Sequence, residues 1–173
     1  MIATLMPQLG RRRFGARLAV LDFMETHDIA KTSFNGDRVR EHTAQRVTQR
    51  IDRIAEADVD AALTAGPDAI AGRLAKLDYE WDIDRALMVT FAIAGAASLT
   101  TGLLRYTQSP PLFRRRKGFL YLFGAQLGFL LLHGTVGWCP PAAVLRRFGL
   151  RTQREIEAER RQLREALSLT QPD

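Results

Sequence analysis

The sequence predicts an all-α membrane protein in which a two-helix transmembrane hairpin is flanked by amphipathic helices. Three observations carry that expectation. Charge is segregated rather than spread: no formally charged residue lies between Arg85 and Arg105, and between Lys117 and Arg146 the only titratable base is His133. Each uncharged run is about as long as a bilayer core is thick. The stretches outside them carry apolar residues at helical spacing. The overall averages, 46% hydrophobic and 25% charged, match an ordinary soluble domain and hide this segregation.

In order along the chain, residues 1–36 form a leader without a clear element. Gly10-Arg11-Arg12-Arg13-Phe14 has a signal-like look, but the apolar stretch Leu18 to Met24 is broken by Asp22 and followed by Glu25. A cleaved signal needs an unbroken apolar core, so that reading is rejected. A surface helix, a disordered leader and a translation start at Met24 all stay open. From Asn35-Gly36-Asp37 a breaker and cap open the amphipathic segment 37–84. Its first helix carries the stripe Val39, Thr43, Val47, Ile51 and Ile54 and runs to about Leu63. After Thr64-Ala65-Gly66-Pro67, a second carries Ile70, Leu74, Leu77 and Trp81.

The hairpin occupies 85–138. Ala86 to Leu104 holds 19 uncharged residues, about 28 Å as a helix. Ala94, Ser98 and Gly102 recur every fourth position and predict a face for close helix packing. The basic loop Arg105 to Lys117 leads to the second run, Gly118 to Trp138, where Gly124 and Gly128 form GxxxG. Pro140-Pro141 ends that helix. In 139–173, Thr152-Gln153-Arg154-Glu155 is a capping box opening a charged helix with Ile156, Leu163 and Leu167 on one side.

The chain has 25 Lys and Arg against 19 Asp and Glu. A basic excess can mean nucleic acid, but between Asp37 and Asp60 acids and arginines are interleaved, as on a salt-bridged helix surface. The unopposed clusters, Arg114-Arg115-Arg116-Lys117 and Arg146-Arg147 with Arg151, flank the apolar runs and suit lipid headgroups. The expected partners are therefore the lipid bilayer and a second copy or another membrane protein, with no nucleic acid.

Candidate functional residues are few. Cys139, the single cysteine, sits just outside the second run. A reactive thiol is weighed there against a packed small residue, and the packed reading is preferred. Gln126 and His133, seven apart, share a face within the second run. They line a path or, more economically, act as inter-helix glue. His27 and His42 lack ligand spacing, and no nucleotide or hydrolase motif occurs. No catalytic residue, metal or cofactor is expected.

The pattern Glu80-Trp81-Asp82-Ile83-Asp84-Arg85, the glycine-bearing hairpin, Gly137-Trp138-Cys139-Pro140-Pro141 and Arg151-Thr152-Gln153-Arg154-Glu155-Ile156 resembles the YgaP-type transmembrane domain family of bacterial inner-membrane proteins, over residues 37 to 168. The resemblance implies an inner-membrane hairpin that self-associates. Some relatives carry a rhodanese domain handling sulfane sulfur. Its cysteine loop ends in Arg, whereas Val144 stands five residues after Cys139, so that activity does not carry over. The leading expectation is a non-enzymatic scaffold with cytoplasmic termini, because a long charged N-terminal stretch without a signal is costly to translocate. The alternatives are an oligomeric small-solute transport or channel module using Gln126 and His133, and thiol-dependent sulfur chemistry at Cys139.

Overall fold

The computed structural model describes Phe34, residues 36–108 and residues 117–170. The leader expected over 1–36 lies almost wholly outside the described residues, as do residues 109–116 of the basic loop expected from Arg105 to Lys117. Among those described, the chain is helical throughout, with α1 (Arg38–Glu41), α2 (Gln45–Ala65), α3 (Pro67–Tyr79), α4 (Ile83–Gln108), α5 (Gly118–Val136), α6 (Pro140–Arg147) and α7 (Gln153–Thr170). The chain divides into two compact units. One joins Thr48–Glu80 to the stretch from Arg154, and the other joins Gly36–Val47 to Trp81–Gln153.

The first unit is a water-type helical bundle. Ala55, Val59, Ala62 and Leu63 of α2 pack with Ile70 and Leu77 of α3 and with Ile156, Leu163 and Ala166 of α7, while Phe34, Leu74 and Leu167 lie partly buried against them. Ile54, expected on the buried stripe, is 56% exposed. The face that packs runs Ile51, Ala55, Val59 and Ala62, so Ile54 falls on its flank. Glu159 is fully buried and takes a two-pronged bond from Arg73, Nε at 2.7 Å and a terminal nitrogen at 3.3 Å. Arg73 also reaches Asp58 at 2.9 Å. A buried carboxylate needs such a partner, because desolvating it alone costs several kcal/mol.

The second unit holds the hairpin. The helix expected to run unbroken from Asp37 to Leu63 opens at Asp37, which accepts the Arg40 backbone N–H as a cap, and stops at Glu41, where the Thr43 N–H turns to the Arg40 carbonyl three residues back at 3.0 Å and the Thr43 hydroxyl donates to the Val39 carbonyl at 2.6 Å. Val39 thereby joins Ile83, Leu87, Cys139 and Ala142 in a small core. The chain breaks again after Tyr79. Asp82 accepts the Arg85 N–H at 2.7 Å and starts α4, while Trp81 leaves the α3 stripe and lies under the Arg85 guanidinium. Opposite Asp82, the Arg151 carbonyl accepts the Ile83 N–H at 2.9 Å.

Two helices, Ile83–Thr107 and Gly118–Val136, are long and apolar enough to cross a membrane. α4 and α5 pack along one another. Gly137 closes α5 in the left-handed region at φ 77°, its N–H returning to the His133 carbonyl. A side chain there would meet the strain of that conformation and the stem of Arg38, 2.9 Å from a Cβ.

Candidate functional site

The α4–α5 seam is built from small and polar residues. On α4, Gly95, Ser98 and Gly102 are buried, and Ala94 is half-buried. A Cβ on Gly95 would lie 3.5 Å from Gln126 Oε1 and 3.6 Å from the Phe123 ring; on Gly102 it would come within 2.8 Å of the Leu120 side chain and 3.2 Å of its backbone nitrogen. These glycines permit the close approach of the helices. Gly95 replaces Ala94 on the contact line because exact four-residue steps drift round a helix of 3.6 residues per turn. Ser98 shares its hydroxyl proton between the Gly95 carbonyl at 3.0 Å and Gln126 Oε1 at 3.3 Å, tying the two helices near mid-span. Beside this tie runs a cavity of about 310 Å³ lined by Phe91, Ala92, Gly95, Phe123, Leu127 and neighbouring apolar side chains.

Gly124 and Gly128 lie elsewhere. Both are exposed, and a Cβ on either meets nothing within 4 Å. They mark the side of α5 turned away from α4, since two residues from Gln126 is about half a turn.

At the foot of the hairpin His133 and Asp84 meet, Nε2 to Oδ1 at 2.9 Å. His133 Nδ1 is buried without a hydrogen bond, as is Trp138 Nε1. Trp138 stacks on His42, ring centroids 5.6 Å apart. The Nδ1 of His42 lies 2.7 Å from the Arg38 carbonyl, which can only accept, so that nitrogen carries the proton. Arg38 donates to the Val136 carbonyl at 2.9 Å and so satisfies an open end of α5. Reasoning from the sequence singled out His133 without Asp84. The signal available was antiparallel register: an acid in the first turn of α4 and a histidine in the last turn of α5 arrive at one level.

Cys139 is fully buried at the N-terminus of α6. Burial pushes its thiol above the ordinary value, the Ala142 backbone hydrogen bond opposes that shift, and the nearby Asp84 carboxylate adds to it. Each of the two upward influences disfavours a thiolate, the form that nucleophilic sulfur chemistry requires. Arg146, read as a headgroup contact, is fully buried and binds the Thr43 hydroxyl at 3.3 Å and the Leu150 carbonyl at 3.0 Å. Thr152, read as a helix cap, donates its hydroxyl to Asp37. Among the described residues no group of three His, Cys, Asp or Glu side chains is placed to hold a metal.

Comparison with protein-family models, with curated proteins and with solved structures returns no match, so the YgaP-type resemblance gains no support from it.

Proposed function

We propose that the chain is an integral protein of the bacterial inner membrane that spans it twice through α4 and α5, with both termini cytoplasmic. Its role is non-enzymatic: the hairpin associates with a second copy or with another membrane protein. The observation that carries this reading is the outer side of α5, where Gly124 and Gly128 leave open space above the backbone. In lipid, helices associate through close backbone approach rather than hydrophobic drive, and small residues provide it. Ser98 and Gln126 hydrogen-bond each other, as do Asp84 and His133, along the seam of a single hairpin, which favours a scaffold over a solute path. The inner-membrane placement rests on the two spans together with the motif resemblance.

The protein should stay with membranes through alkaline carbonate and high-salt washing, since salt screens only surface attraction. Recovery in the soluble fraction would overturn the reading. Gly124→Leu combined with Gly128→Leu should reduce crosslinked oligomer while leaving the hairpin fold unchanged. Undiminished crosslinking would remove this face from the interface.

A further inference from the structure

The apolar surface of the second unit does not end with α4 and α5. α6 begins four residues after α5 ends, and its inner edge is packed: Cys139 and Ala142 sit in the core with Ile83 and Leu87, and Phe91 and Leu145 close over it. Leu87 and Phe91 stand about 6 and 12 Å along α4 from Ile83, at 1.5 Å per residue. α6 therefore lies beside the first turns of α4 and not beyond them. The His133–Asp84 bond puts the last turn of α5 at the same level. Trp81 precedes α4, with the Arg85 guanidinium 4.8 Å from its ring centroid, a pairing suited to a headgroup boundary.

The outer edge of α6 is different. Val144 and Phe148 are 51% and 78% exposed and stand one turn apart, and Arg147 is exposed between them. Arg146 and Arg151 are buried, which leaves Arg147 as the exposed arginine of that basic cluster. Single exposed apolar residues are ordinary. An exposed valine–phenylalanine pair with an intervening arginine, at the depth where a lipid-facing surface begins, is the pattern of a helix lying in a membrane interface.

We infer that the outer edge of α6, formed by Val144, Arg147 and Phe148, is a phospholipid contact. The two apolar side chains rest against the upper acyl chains. The occupant is lipid because this edge continues the exposed apolar surface of α4 and α5. The inference rests on the reading of those helices as spans.

Spin labels at Phe148→Cys, Leu131→Cys on the exposed side of α5 and Arg164→Cys on the polar side of α7 test it, each in the full chain carrying Cys139→Ser and reconstituted in phosphatidylcholine–phosphatidylglycerol vesicles. The ratio of collisions with oxygen to collisions with a water-soluble nickel chelate is read at each position. The expected ratio at Phe148 lies between the other two and closer to that at Leu131. A ratio at Phe148 equal to that at Arg164, with Leu131 still oxygen-rich, overturns the α6 contact and leaves the spans standing. Nickel access at Leu131 overturns the spans and the contact together. Shielding of Phe148 from both reagents means that protein covers it, and overturns lipid as the occupant. Should Cys139→Ser fail to fold, F148W in the otherwise unaltered chain serves instead. Brominated phosphatidylcholine should then quench the added indole emission and aqueous iodide should not, the reverse result overturning the contact.

Discussion

The bundle of the first unit and the α4–α5 seam of the second bury different kinds of residue. In the bundle of α2, α3 and α7 the interior is Ile, Val, Leu and Ala, with Glu159 buried on Arg73 and Glu155 buried near the start of α7. In the α4–α5 hairpin the seam holds Gly95, Ser98 and Gly102, while Leu103, Leu122, Leu127, Leu131 and Phe129 are exposed. The bundle has the polarity that water imposes, where removing apolar area drives packing. The hairpin has the polarity expected of the spans proposed above: in lipid, burying leucine gains little, and close backbone contact with shared hydrogen bonds holds helices together. One chain thus carries two rules of assembly, and each unit should fail in its own way.

The largest effect is expected at the buried ion pair. Glu159→Ala leaves the Arg73 guanidinium without its main anion in a desolvated place, and should cost about 3 kcal/mol. Chemical denaturation of the full protein, followed by a probe on α7, measures it. A cost under about 1 kcal/mol, the range of exposed pairs, would mean that water reaches the pair and the bundle interior is not dry.

The hairpin should break at a glycine instead. Gly102→Leu places a Cβ against the Leu120 backbone nitrogen, which cannot swing aside as a side chain can. The expected loss is about 1–3 kcal/mol, read as increased α4–α5 separation by paired spin labels. Gly124→Leu, with open space at its Cβ, should leave that separation unchanged. Equal effects at both glycines would show that the seam has been assigned to the wrong side of α5.

A smaller effect concerns Cys139. Its thiol titrates above the ordinary value of 9.0 in the folded chain, chiefly through burial. The unfolded chain ionises first as pH rises, so this contribution is present below about pH 9 and is lost as pH climbs through the raised folded value. The difference in stability between the native protein and Cys139→Ala should shrink over that alkaline range. Near neutral pH, alkylation of Cys139 should run at least about tenfold slower than for a free thiol, and fast labelling of folded protein would reopen thiol chemistry. The smallest change is Ser98→Ala, which removes one shared hydroxyl and should cost about 0.6 kcal/mol in hairpin stability.

The helical class and the two long apolar helices were legible in the sequence because both depend on local composition and period. An uncharged run of bilayer length is a one-dimensional property, and so is the stripe of Ile70, Leu74 and Leu77. Gly137 and Asp82 as helix punctuation are equally local, and both stand in motifs quoted above without being read there as a helix end and a helix cap. What tertiary structure alone decided are the pairings between distant residues. Arg73 meets Glu159, and Asp37 takes the Thr152 hydroxyl, across distances in sequence that no spacing rule spans. The same holds for Arg146 and Arg147. They are neighbours with identical chemistry, yet one is buried on the Thr43 hydroxyl and the other faces outward. Successive side chains on a helix point about 100° apart, and which of them turns inward depends on where α6 docks against α4. That docking is set by the fit of Cys139 and Ala142 against Ile83 and Leu87, and a packing fit is a property of surfaces brought together, which no local stretch of sequence contains.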